Sequence, residues 1–207
     1  MEIPATQRTL LQRLRDPADE AAWQLFEARY RDLVVRFARS RGQQQADAED
    51  IAQAVLASLF ALFRAPGKPF EYDPQRGRFR DYLFRCVRNA ITRHATRQKT
   101  LSGTGVARPI DSTDGLLTDI PAPDSNETSN WESEWMDHHY RLALATVRLT
   151  FEPVSIDVFE RCLRGDAIRE IADSMAMTEQ GVHKIKQRIR DRMQALIAEQ
   201  IRDEDAE

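Results

Sequence analysis

One stretch of this chain decides what the rest can fold into. Between residues 101 and 130, Pro, Gly, Ser, Thr, Asp and Asn supply 20 of 30 positions. Such a segment buries too little apolar surface to offset the entropy of ordering it, so a flexible linker is expected. As a random coil it would span about 30 Å, and about 100 Å fully stretched. Folding must therefore happen on either side, in residues 1–100 and 131–202. Residues 203–207 remain as an acidic tail carrying Asp203, Glu204, Asp205 and Glu207.

Both flanks have helical periodicity. Trp23, Phe26, Tyr30, Leu33 and Phe37 recur every three or four residues and form one helical stripe. Gly42 is expected to end that helix. Asp47 is expected to cap the next, with Glu49 and Asp50 in a first turn where the helix dipole favours anions. That helix would bury Ile51, Val55, Leu59 and Leu62 and stop near Pro66-Gly67, before a turn-rich loop at residues 69–77. A third, at about residues 79–98, would bury Phe79, Leu83, Val87 and Ile91, with Arg80, Arg85, Arg88, Arg93 and Arg97 on its other face. In the second flank the pattern predicts helices at about 131–149, 155–163, 167–175 and 178–201. No segment shows the alternation of a strand, and eight glycines in 207 residues fit an all-α fold of two small helical domains.

The net charge of −3 conceals an uneven distribution. Residues 1–100 hold 18 Lys and Arg against 12 Asp and Glu; residues 101–137 hold one Arg against eight acids. Two short segments are strongly basic: residues 76–99, with eight bases and one acid, and residues 182–192, with five bases and one acid. They read either as two local anion-binding surfaces or as two solvated helix faces. The acidic linker reads equally as a mimic of nucleic acid or as a solubilising spacer.

Several classes are excluded. The longest apolar run, residues 51–63, falls short of the roughly 20 residues of a membrane span. The start has no basic region followed by an apolar one, so no secretory signal is read. Cys86 and Cys162 form no CxxC pair, which argues against a zinc site or disulfide scaffold and fits a reducing cytoplasm. The chain has no phosphate-cradling GxxxxGK[ST] loop, no HExxH and no nucleophile elbow. His138 and His139 are adjacent and cannot face the same way on a helix. No enzyme, metal or cofactor is expected.

The stretch IREIADSMAMTEQGVHKIKQRIRDRM carries the sharpest motif. A short helix with Ile168, Ile171, Ala172 and Met175 meets a tight turn at Ala176-Met177, and a basic helix capped by Thr178 follows. This is helix-turn-helix spacing. Val182, Ile185, Ile189, Met193 and Leu196 would form the buried stripe. Gln180, His183, Lys184, Gln187, Arg188 and Asp191 would face outward, where the Gln, His, Lys and Arg side chains can read a major groove. An antiparallel helix pair with a wet face is the plainer alternative.

The N-terminal half carries a family resemblance. TLLQRLRDPADEAAWQLFEARYRDLVVRFARSRG, DAEDIAQAVLASLF and FRDYLFRCVRNAITRHATR closely resemble successive segments of domain two of bacterial RNA polymerase sigma factors. The two-domain layout resembles the extracytoplasmic-function (ECF) class, and the helix-turn-helix then looks like sigma domain four. The resemblance covers about residues 6–99 and 131–200.

That resemblance implies contacts residue by residue. The helix at residues 47–60 matches the one that docks on the clamp helices of polymerase, with Asp47, Asp50 and Gln53 as its polymerase-binding residues. Ala54 stands where the family often has Glu. The helix from Phe79 matches the promoter-melting and −10-reading segment, with Arg80, Tyr82, Arg85, Arg88, Asn89, Arg93 and Arg97 on single-stranded DNA and Asn89 as the base contact. Tyr82 replaces the usual Trp, and Arg93 a common Asp. In the second domain His183, Lys184 and Gln187 match −35-reading positions, Arg188 a backbone contact and Thr178 the cap, with Gln180 beside them. Ala176 replaces a frequent Gly in the turn, which suits a negative φ. The expected partners are core RNA polymerase, promoter DNA as duplex and single strand, and an anti-sigma factor of the kind family members often answer to. The expected function is promoter-specific transcription initiation; a stand-alone helix-turn-helix regulator is the alternative.

Overall fold

The computed structural model describes residues 10–65, 78–102 and 122–205. Most of the expected linker lies outside the described residues, as do Pro66-Gly67, the loop at 69–77 and the last two residues of the tail. Among the described residues every regular element is a helix: α1 (Leu10–Arg13), α2 (Glu20–Ser40), α3 (Gln45–Phe63), α4 (Phe79–Ser102), α5 (Ser125–Thr150), α6 (Pro153–Arg164), α7 (Ile168–Ser174) and α8 (Glu179–Asp205). The chain is all-α, as its periodicity implied. It divides into two compact units: residues 1–135 with 203–207, and residues 136–202.

Unit 1 is built around the stripe of α2. Trp23, Phe26, Tyr30, Leu33 and Phe37 are all buried. The Phe26 ring centroid lies 5.4 Å from Trp23, 4.7 Å from Tyr30, 6.5 Å from Phe63 and 5.9 Å from Phe79. Three helices thus meet on one ring. The entry to α2 is set by Asp19, whose carboxylate accepts from the Ala22 amide at 2.9 Å and from Arg13 Nε at 2.9 Å. One side chain caps α2 and fastens the end of α1. The hydrogen bond from Arg13, then that from the Ala22 amide, holds the Asp19 carboxyl below its usual range.

Two local expectations need correction. Asp47 does not cap α3. The helix starts at Gln45 with Gln44 as its cap residue, and Asp47 lies in the first turn. Gln45 supplies the earlier start by bonding Glu49 Oε1 at 2.6 Å, one turn on, and accepting from Arg39 Nη1 at 2.9 Å. Helix α4 buries more than one face: Tyr82, Phe84, Cys86 and Asn89 join Phe79, Leu83 and Val87 in the interior.

The other difference concerns where order resumes after the linker. The expected second domain begins at 131, but α5 begins at Ser125, and its Trp131 and Trp135 lie in the core of unit 1. Asp124 starts the helix by accepting from the Glu127 amide at 2.6 Å. Ser, Thr and Asn, which read as breakers in bulk, serve here in a capped first turn. Trp131 stacks on Phe84 at 5.3 Å and meets Phe37 edge-on at 5.0 Å. That burial outweighs the cost of ordering six polar residues. The tail is likewise helical through Asp205; Glu204 is buried in unit 1 and accepts from Tyr30 Oη at 2.5 Å.

Unit 2 has its own core. Ala143, Val147, Phe159, Ile189, Met193 and Leu196 form one cluster; Val158, Ile171, Ala172 and Val182 form the other. Gly165, at φ +91°, closes α6 in the left-handed conformation. Arg161 donates to Asp166 at 2.9 Å and to Ser174 at 2.5 Å, tying α6 to the turn and to the end of α7.

The turn between α7 and α8 departs from expectation. Ala176 has a φ of +51°, the one positive-φ non-glycine residue among those described. A side chain in that region costs on the order of 1 kcal/mol or more. Ala176→Gly is therefore expected to stabilise unit 2 by about 1 kcal/mol, read as a higher denaturant midpoint at unchanged slope. A lower midpoint would contradict the strain.

Candidate nucleic-acid interface

The helix-turn-helix of unit 2 is assembled as its spacing implied. Ala172 is buried against its neighbours and its carbonyl accepts from the Met177 amide at 3.0 Å, folding the turn back on α7. Thr178 Oγ1 accepts from the Gly181 amide at 3.0 Å and so caps α8. A Cβ on Gly181 would lie 3.3 Å from that oxygen, so the cap and the absence of a side chain at 181 go together. Val182, Ile189, Met193 and Leu196 point inward, with Ile185 at the edge. Thr178, Gln180, His183, Lys184, Gln187 and Arg188 are all exposed.

Within that face the side chains are not equally at liberty. Gln187 Nε2 donates to Asp191 Oδ1 at 2.7 Å, and Arg188 reaches Ser155 Oγ at 3.4 Å while lying 5.2 Å from the centroid of the Phe151 ring. Reading a base with Gln187 therefore means exchanging one hydrogen bond for another. The arrangement offers a capped helix start with open amides, an imidazole, an amide and a cation, which suits a groove lined by acceptors and flanked by phosphates.

In unit 1 the exposed side of α3 carries Asp50, Gln53, Ala54 and Ala57. Gln53 borders a cleft of about 460 Å³ walled by Trp23, Glu27, Arg31, Leu56 and Phe60. An apolar wall with a carboxylate, a guanidinium and an amide at its rim suits a helical partner with mixed charge. Asp47 is committed elsewhere: His94 Nε2 lies 3.1 Å from its Oδ1 and Gln98 Nε2 donates to the same oxygen at 3.0 Å. It staples α3 to α4, while Asp50 and Gln53 stay at the surface.

Helix α4 is where structure and expectation differ most. Arg85 and Arg97 are exposed and Arg93 half-buried. Tyr82 is 7% and Asn89 5% exposed, so neither presents a surface to a strand. Burial, followed by the influence of Cys86, pushes the Tyr82 phenol well above its ordinary range, and burial pushes the Cys86 thiol up to about 11. Arg80 donates to Glu132 at 2.9 Å and Arg88 to Glu127 at 2.9 Å. Helix α5 also binds α2 or its end: Glu127 faces Arg41 at 3.5 Å as well, Glu134 faces Arg36 at 3.7 Å, and Asn130 donates to Ser40 Oγ at 3.0 Å. The sequence reasoning missed Arg36, Arg41, Glu127 and the two tryptophans. Their signal was an aromatic pair four residues apart, preceded by an Asp cap and interleaved with acids.

Among the described residues no group of His, Cys, Asp and Glu is arranged to hold a metal ion. No described helix is long and apolar enough to cross a membrane. Residues 27–100 match the family model described as Sigma-70 region 2. No curated protein and no solved structure matches the chain. The family match covers most of α2, all of α3 and nearly all of α4, and so falls within unit 1.

Proposed function

We propose, from the Sigma-70 region 2 match over residues 27–100, that this chain is a promoter-specificity subunit of the extracytoplasmic-function class. The match is the observation that carries the proposal. The domain layout of that class, the ascription of unit 2 to sigma domain four and the residue roles below are part of it. Asp50 and Gln53, with the neighbouring cleft, bind core RNA polymerase, and Asp47 supports them by fixing α3 on α4. The α8 face of Thr178, Gln180, His183, Lys184, Gln187 and Arg188 reads the −35 duplex: Lys184 and Gln187 on base edges, Arg188 on backbone. The cationic side of α4, with Arg80, Arg85, Arg88, Arg93 and Arg97, tracks the −10 strand; Tyr82 and Asn89, its aromatic and base-reading positions by resemblance, are buried here and act in that role only where the packing over α4 opens.

The energetics need no nucleotide hydrolysis. Unstacking a DNA base step costs about 1.4 kcal/mol on average. A single-stranded base held on an aromatic or guanidinium face returns about 1–3 kcal/mol. A few captured bases therefore sustain a short bubble once two contacts have fixed the register.

Run-off transcription with purified core enzyme and a cognate promoter tests the reading. A transcript that depends on this chain, with co-elution of chain and core, is expected. Absence of both would remove the proposal, and tight duplex binding without core would favour a stand-alone regulator. The double variant Asp50→Ala with Gln53→Ala is expected to lower affinity for core at least tenfold with an unchanged helical spectrum, since both side chains are exposed. Full binding by that variant would discard the docking surface.

A further inference from the structure

The start of α5 does to unit 1 what a nucleic acid would do. Its carboxylates sit on guanidinium groups: Glu127 on Arg88 and Arg41, Glu132 on Arg80, and Glu134 near Arg36. Its indoles sit on aromatic faces: Trp131 on Phe84 and Phe37, and Trp135 on Tyr30. Anionic groups on arginines and flat rings stacked on aromatic side chains are the two elements of single-strand binding. Two of the paired arginines, Arg80 and Arg88, belong to the side of α4 that the proposed function assigns to DNA.

The contact is built as a reversible closure. Indole burial supplies affinity, but the carboxylates are placed to exchange with phosphates on the same guanidinium groups. The Arg80–Glu132 pair is half in water, whereas Arg88 and Glu127 are both largely buried, at 13% and 12% exposure. Pulling Glu127 away without a replacement would strand the Arg88 charge in a poorly hydrated site, which is costly. A phosphate arriving at Arg88 removes that cost. Residues 103–123, which separate α4 from Asp124, are long enough as a sequence to permit such a displacement.

We propose that residues 124–135 are an autoinhibitory strap, which holds Arg80 and Arg88 by its carboxylates and fills the Phe37–Phe84 groove with Trp131, so that the single-strand face stays shut until the strap lifts. The claim rests on the proposed DNA role of α4, but its test does not require polymerase. A fluorescent 12-nucleotide oligo-dT is titrated into the full-length chain, and anisotropy is read at fixed salt. The double variant Glu127→Gln with Glu132→Gln is expected to bind at least tenfold tighter than the parent. The single variant Glu132→Gln, an exposed change that leaves the fold intact, is expected to gain about threefold. Asp137→Asn removes one exposed acid further along the same helix and should gain less than twofold, since it frees no arginine. Amide exchange in residues 125–135 should speed up when oligo-dT binds the parent.

Unchanged affinity in Glu132→Gln, or equal gains in Glu132→Gln and Asp137→Asn, would overturn the strap. If the parent directs run-off transcription while the glutamate variants gain nothing, the strap fails and the sigma reading stands. If the variants gain affinity while the parent supports no transcript, the sigma reading fails and the strap remains as a mask over an anion-binding face.

Discussion

Phe26→Ala is expected to destabilise unit 1 by about 3–5 kcal/mol, the range for deleting a buried ring in a core that cannot collapse. Phe26 is fully buried and touches rings from α2, α3 and α4. Those neighbours are themselves locked: Tyr30 by Glu204, Trp23 by Phe60 at 4.8 Å, and Phe79 by Tyr30 at 5.5 Å. A cavity left there has little to fill it. Equilibrium denaturation followed by tryptophan emission measures the loss, since Trp23, Trp131 and Trp135 all report on this core. The proposed binding to core polymerase should fall with it at 37 °C, because the position of Gln53 depends on α3 being seated. A loss under about 1 kcal/mol would mean that the ring cluster repacks freely.

The second large effect belongs to unit 2. Val182 is fully buried at the crossing of α8 with α6 and α7, in contact with Val158, Ile171 and Ala172. Val182→Asp would place a carboxylate there with no cation among those neighbours. An uncompensated buried charge costs about 3–5 kcal/mol, enough to unseat a small helical unit that stands on two modest clusters. On the proposed roles, the expected outcome is loss of duplex binding by the α8 face with retention of polymerase binding through Asp50 and Gln53. A variant that lost both activities equally would show that the two surfaces are not separable. A variant that kept duplex binding would show that the crossing tolerates an anion, against the observed packing.

The fold was legible where the chain repeats a simple physical rule. The stripe from Trp23 to Phe37 and the stripe from Val182 to Leu196 both follow helical spacing, and both are buried except for Ile185 at the edge of the second. Gly165 and Thr178 do what their chemistry favours, closing α6 and opening α8. Legibility failed where a contact distant in sequence decided the matter. Asp47 looks like a cap locally, yet its partners are His94 and Gln98, about fifty residues on. Ser125–Asn130 looks like linker by composition, yet Trp131 finds Phe37 and Phe84 and carries that peptide into a helix. Tyr82 and Asn89 look exposed only if α4 has one buried side, and nothing local to α4 says that it has more. The outward face of α8 was easier because it needs no distant partner: a cap, a turn and an apolar stripe, all within thirty residues, set its direction.

The buried thiol of α4 has a consequence for how such a protein can be informed of its surroundings. Burial pushes the Cys86 thiol up to about 11, so its sulfur stays protonated at neutral pH. Peroxide attacks the sulfur anion and leaves the protonated form alone. An oxidant meets at Cys86 a sulfur that is both buried and protonated, a poor target on either ground.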